Sequence, residues 1–120
     1  MRFLALVRAP EISAAPPQQL EDAMLEFIKD GAAAGALVET GGLASTAQGK
    51  IFRSRKGKVK VIDGPFTEAK EVIGGYAILE VASQQEAIDW TTRFMQLHTD
   101  HWPAFEFETE LREMQVAPLG

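Results

Sequence analysis

The segment "VIGGYAILEV", Val72 to Val81, constrains this chain more than any other. Its apolar residues do not alternate with polar ones, so as a strand it is apolar on both faces and needs cover on both. "RFLALVR", Arg2 to Arg8, has the same property, with Phe3, Ala5 and Val7 opposite Leu4 and Leu6. Two segments carry helical periodicity. In the first, from about Pro17 to Gly35, Leu20, Met24, Phe27 and Ile28 recur at i, i+4, i+7 and i+8. Pro16-Pro17 suits a helix start, Gly35 suits a stop, and Gly31 with Gly35 loosens the end. In the second, about Gln84 to Leu97, Ala87, Ile88, Thr91, Phe94 and Met95 form the buried set, with Ser83 and Glu86 as a capping box. Two helices cover only one face of a sheet. A second copy of the chain is the simplest cover for the other, sheet against sheet around an enclosed space.

The remaining strands complete the pattern. "ALVETGGL" reads as a strand, "KIFRSR" and "KVKVID" as a hairpin around Lys56-Gly57, and "AFEFETELREMQV" as a last, alternating strand. In that last strand Phe105, Phe107, Thr109 and Leu111 share one face, and Glu106, Glu108, Glu110 and Arg112 the other. The order is strand, helix, strand, hairpin, strand, helix, strand. The expectation is an α+β class chain, a ferredoxin-like βαββαβ with an inserted β-hairpin, as one domain over 1–120.

Several function classes are excluded by what is missing. Without cysteine there is no disulfide framework, Cys-ligated zinc, iron–sulfur cluster or thiol nucleophile. No apolar run approaches the roughly 20 residues that cross a bilayer, and the N-terminus has no signal-peptide cleavage site, so no membrane partner and a cytoplasmic location are expected. A net charge of −5 argues against nucleic acid as a partner. The one basic cluster, "KIFRSRKGKVK" from Lys50 to Lys60, reads as a charged hairpin tip that blunts an edge strand. No serine triad, phosphate loop, dinucleotide fingerprint or zinc motif is present, and no cofactor is expected.

"VIDGPFTEAKEVIGGYAILEV" resembles the signature of the DGPF group within the YCII-related proteins. The resemblance extends over nearly the whole chain, through the basic hairpin that leads into "DGPF" and on to "RFMQLHTDHWPAFEFETELREM". It implies a dimeric α+β barrel of ferredoxin-like protomers. Fold relatives include cofactor-free isomerases and monooxygenases, and other relatives resemble accessory proteins encoded near alternative sigma factors. The resemblance also implies a His-Asp pair on the first helix, and here the chain departs from the pattern. That helix has no histidine, and Met24 and an alanine among Ala32 to Ala34 stand at the comparable inward positions.

The candidate site residues cluster at two places. Asp63 ends a strand before Gly64-Pro65, where an aspartate can accept hydrogen bonds from its own turn or face a ligand. Glu68, Lys70 and Glu71 read as one helical turn capped by Thr67, a solvated turn or one whose acids bind a cation or orient a polar substrate. Gly74-Gly75 inside a strong strand marks a bulge or a close backbone approach. Tyr76, the only tyrosine, has an apolar ring and a polar tip suited to a pocket wall. His98 and His101, three apart at a helix end, can share a face, as a metal pair needing a third ligand such as Glu106 or Glu108, or as a general base. The row Glu106, Glu108 and Glu110 reads as solvent-facing, with Arg2, Arg8, Arg53 or Arg112 as the alternative partners. Trp90 and Trp102 read as packing residues. The first functional reading is an acid–base enzyme on a small organic molecule, with Asp63, His98 and His101 catalytic and Glu68, Lys70 and Tyr76 binding substrate. The second is a non-enzymatic ligand-binding or regulatory homodimer tied to transcription control.

Overall fold

The computed structural model describes residues 1–12 and 14–119; Ser13, in the Pro-rich connection, and Gly120 lie outside the described residues. Strand β1 (Arg2–Ala9) is followed by helix α1 (Gln18–Ala33), β2 (Leu37–Gly42), the hairpin β3 (Lys50–Arg55) and β4 (Lys58–Asp63), β5 (Val72–Glu80), helix α2 (Gln84–His101) and β6 (Glu108–Glu113). The fold is thus mixed α+β, with two α-helices and six strands among the described residues. Four strands form one antiparallel sheet in the order β2-β5-β1-β6, and β3 and β4 form a separate two-stranded sheet among the described residues. The two doubly apolar segments occupy the two central positions, each flanked by a strand on both sides.

Register decides which side chains share a face. Phe3 lies opposite Leu79, Ala5 opposite Ala77 and Leu111, and these point under the helices. There Phe3, Ala36, Leu79, Val81 and Ala87 form the buried core, with Leu37, Trp90 and Leu111 packed against it. Leu4, Leu6, Tyr76 and Ile78 fall on the other face, which no element among the described residues covers. Each helix is locked to its sheet by a small residue. A Cβ on Gly31 would stand 3.0 Å from that of Leu37, so this glycine lets α1 approach β2 rather than loosening the helix end. Gly35, at φ +72°, ends α1 as expected.

At α2 the Ser83 hydroxyl accepts from the Glu86 amide at 3.1 Å, while the Glu86 carboxylate accepts from the amide of Ala82, one residue before the cap. The helix runs a full turn beyond the expected Leu97 and carries both histidines. The last strand, by contrast, starts late, at Glu108. Its ladder with β1 ends at the Arg8–Glu108 pair, because Pro10 follows shortly and has no amide hydrogen to extend it. Phe105 and Phe107 instead stack on each other at 5.1 Å and cap the end of α2, Phe105 against Trp102 at 4.6 Å and Phe107 against His98 at 4.8 Å.

Candidate functional site

"DGPF" forms a corner clamped onto a 3₁₀ turn at Thr46–Gln48. The amide of Gly64 donates to the Gly49 carbonyl at 2.9 Å, and the Phe66 ring lies against Gly49. Thr46, buried, is the centre of the clamp. Its hydroxyl accepts from the Phe66 amide at 3.4 Å and donates to Glu11 Oε1 at 2.5 Å, while its own amide donates to Glu11 Oε2 at 2.8 Å. Asp63 pairs with Lys50 across the hairpin base at 2.6 Å. The expected helical turn after Thr67 is absent. A single hydrogen bond from the Ala69 amide to the Phe66 carbonyl closes a turn there, and the chain then bends directly into β5. Glu68 and Lys70 are exposed on this corner, and among the described residues neither forms an ion pair.

The two amide and hydroxyl bonds from Thr46 stabilise the ionised form of Glu11 and hold its pKa below the ordinary carboxylate value. A lowered folded-state pKa adds stability above the unfolded value and loses it as pH falls through the folded value. Glu11→Gln should therefore lower the urea midpoint at pH 7, and its gap to the parent should shrink by pH 3. A gap that stays constant between those pH values would show that the charge on Glu11 is not what holds the corner.

A different space lies between helices and sheet. It is a cavity of about 390 Å³, walled by Met24 and Phe27 of α1, Trp90, Phe94 and His98 of α2, and Leu79 with its sheet neighbours. At one end the glycines of β2 and β5 open it. Gly74 is skipped by the ladder, which steps from Val7–Gly75 to Arg8–Ile73, and Gly75 presses on the Gly41 carbonyl, where a Cβ would stand at 3.2 Å. Both readings of this glycine pair, bulge and close approach, are realised. The walls are aromatic: Phe27 meets Trp90 edge-on at 5.8 Å, and Arg93 lies over both rings while pairing with Asp30 outside.

Of the six candidate residues, His98 is the one whose ring enters this cavity wall. Its Nδ1 lies 3.0 Å from the Phe94 carbonyl, and its ring contacts Phe94 at 4.6 Å. Burial lowers its pKa from the ordinary 6.5, only partly offset by that carbonyl. Nδ1 therefore donates to Phe94 in the neutral ring, and Nε2 keeps the free lone pair. Tyr76 borders the cavity, but register carries its ring to the helix-free face with Leu6, where its hydroxyl donates to Glu39 at 2.7 Å. That bond, with some desolvation, raises the phenol's pKa. Asp63, Glu68, Lys70 and His101 lie outside the cavity wall. His101 shares the helix end with His98, and among the described residues no group of three His, Asp or Glu gathers to hold a metal. Glu106 and Glu108 are solvent-exposed as expected, while Glu108 and the half-buried Glu110 also take the alternative partners, Arg8 at 3.4 and 3.7 Å, with Arg112 beside Glu110.

Two residues of these arrangements escape a reading of the sequence. Glu11 sits beside Pro10 in the Pro-rich connection, and its partner Thr46 is 35 positions away, so no local pattern links them. The aromatic wall did have a signal. Trp90, Phe94 and His98 recur at i, i+4 and i+8, a helix face in its own right.

Comparison with known proteins places these features in context. Over 57 residues the chain is 37% identical to an uncharacterized protein of Rhizobium meliloti, the match spanning 48% of this chain and 46% of that one. The chain thus spans about half the length of this curated relative. The YCII-related domain matches residues 1–102, from the first strand through both helices, the hairpin and the "DGPF" corner. This chain belongs to the YCII-related domain family.

Proposed function

We propose that the protein binds a small, uncharged, largely apolar organic molecule in the helix–sheet cavity, with His98 as its hydrogen-bond acceptor. The observation behind this reading is the composition of the wall. Among the described residues His98 is the only ionisable group presented there, apart from Tyr76, whose hydroxyl is committed to Glu39. With no lysine or arginine on the wall, the cavity has no counter-ion for a carboxylate or phosphate, whose burial would be costly. Its volume suits a small ligand. A neutral imidazole with Nε2 free accepts a hydrogen bond from a weakly acidic group such as a phenol or enol, and because burial makes it a weaker base that group keeps its proton. Binding without turnover, as in a regulatory dimer, is favoured by the separation of Asp63, Lys70 and Tyr76 from His98, which leaves the base without a polarising partner.

The same reading includes a second copy. The order β2-β5-β1-β6 supports a ferredoxin-like core with β3–β4 inserted. The helix-free face carries Leu4, Leu6, Ile73 and Ile78, and also the Nε of Arg8, buried without a partner among the described residues. Sheet-to-sheet pairing would cover the one and offer acceptors to the other.

Titration of ¹⁵N-histidine-labelled protein with phenol and, separately, with benzoate tests the site. Phenol should shift the His98 Nε2 resonance, benzoate should not, and His98→Gln should weaken phenol binding at least tenfold. Because burial lowers the imidazole's pKa, binding should persist to below pH 6.5 and fail as His98 gains its proton. Equal binding of benzoate, or shifts confined to the Asp63–Lys70 corner, would refute the assignment.

A further inference from the structure

The β3–β4 hairpin is the least explained part of the molecule. Every residue of β3 is exposed, as is every residue of β4 except Ile62. Pairing puts Phe52 opposite Val61 and Ser54 opposite Val59 on one face, and Arg53 opposite Lys60 and Arg55 opposite Lys58 on the other. The first face leaves Phe52 69%, Val59 71% and Val61 49% exposed. A lone two-stranded hairpin is marginal in water, and three apolar residues on one side of it are a docking surface before they are anything else. The turn, by contrast, is well made. Lys56 and Gly57 both adopt positive φ, 53° and 74°, the geometry that matches strand twist in a two-residue connection. The base is held by Lys50–Asp63 and by the Gly64 amide on Gly49. The hairpin is thus a defined arm rather than a loose loop. The molecule as a whole is spread out, with a radius of gyration of 16.3 Å where a compact chain of this length would have about 14 Å.

We propose that this arm docks on a second copy of the chain, with Phe52, Val59 and Val61 laid against the partner's helix-free sheet face. The inference rests on the dimer reading above and extends it. Two observations select the occupant. The helix-free face is the surface that interface uses, and its apolar residues are incompletely covered, Leu4 and Leu6 half-buried and Ile73 44% exposed. Charge is complementary as well. The arm, residues 50–63, holds six of the twelve cations and one acid, a net +5, which leaves six cations against 16 acids elsewhere, a net −10. An arm of this charge is drawn to a body of the opposite sign, its cationic face steering the encounter while its apolar face makes the contact.

An equal mixture of ¹³C,¹⁵N-labelled and unlabelled full-length protein, examined by isotope-filtered NOE spectroscopy alongside light scattering, tests the proposal. The expected result is a dimer mass with intermolecular NOEs from the Phe52 ring and the Val59 or Val61 methyls. The double variant Phe52→Asp/Val59→Asp should keep the parent's circular dichroism and raise the dimer Kd at least tenfold. A dimer without those NOEs, or an unchanged Kd in the variant, overturns the arm and leaves the sheet-to-sheet dimer standing. A monomer mass at micromolar concentration ends both. If duplex RNA shifts Arg53, Lys58 and Lys60 while Phe52 stays solvent-exposed in the dimer, the arm belongs to nucleic acid and the proposal fails.

Discussion

Gly64→Ala should destabilise the protein by about 3 kcal/mol, the combined scale of an overpacked contact and a lost buried hydrogen bond. A Cβ at this position would lie 1.6 Å from the Thr46 carbonyl oxygen and 2.7 Å from its carbon. Neither atom can retreat cheaply. The Thr46 carbonyl accepts from the Gly49 amide at 2.9 Å, the Thr46 amide and hydroxyl are held by Glu11, and the Gly64 amide is bound to Gly49. Making room means opening at least one of these bonds in a half-buried place. Gly74→Ala is the internal control, because nothing lies within 4 Å of a Cβ there. Urea unfolding of both variants checks the expectation. A loss below about 1 kcal/mol for Gly64→Ala, or equal losses for the two, would mean that the corner yields and that its glycine is not a packing requirement.

Phe3→Ala should cost about 3–5 kcal/mol, the range for removing a buried aromatic side chain. Phe3 is 2% exposed and sits at the centre of the core, opposite Leu79 on β5, beneath Ala87 of α2, which is itself 0% exposed. Against a total stability of roughly 5–15 kcal/mol for a domain, that loss leaves little margin. Its neighbour gives the contrast. Leu4 has nearly the same hydrophobicity but points to the helix-free face. Leu4→Ala should therefore cost the isolated chain less than half as much, and its effect should grow with protein concentration if a second copy covers that face. Denaturation at two concentrations separates the cases. Equal losses for Phe3→Ala and Leu4→Ala at low concentration would contradict the assignment of the two faces.

Much of the fold was legible because it rests on local chemistry. The helix stop at Gly35, the Lys56-Gly57 turn, the Ser83 cap and the glycine pair at 74–75 each follow from what one or two residues permit their own backbone to do. The boundaries that moved did so under long-range influence. The last strand begins at Glu108, because aromatic packing of Phe105 and Phe107 against α2 outweighs further pairing with a strand about to meet Pro10. The helical turn expected after Thr67 gave way to the clamp on Thr46, which orients Phe66 instead.

The candidate site divides in the same way. The residue types were visible in the sequence: two histidines, one tyrosine, and a charged corner at "DGPFTEAKE". Their environments were not. His98 is a half-buried, neutral imidazole because α2 runs one turn longer and Phe94 and Phe107 close over its ring. Tyr76 is turned from the cavity by strand parity and tied to Glu39, while Glu108 and Glu110 share the single guanidinium of Arg8, roughly a hundred residues earlier in the chain. By itself the sequence determined the elements, their order and the need to cover two central strands, since these depend on spacing within a few residues. Only the tertiary structure decided which side chains share a dielectric environment. Desolvation and hydrogen bonding act between atoms close in space, and spacing along the chain does not record who those neighbours are.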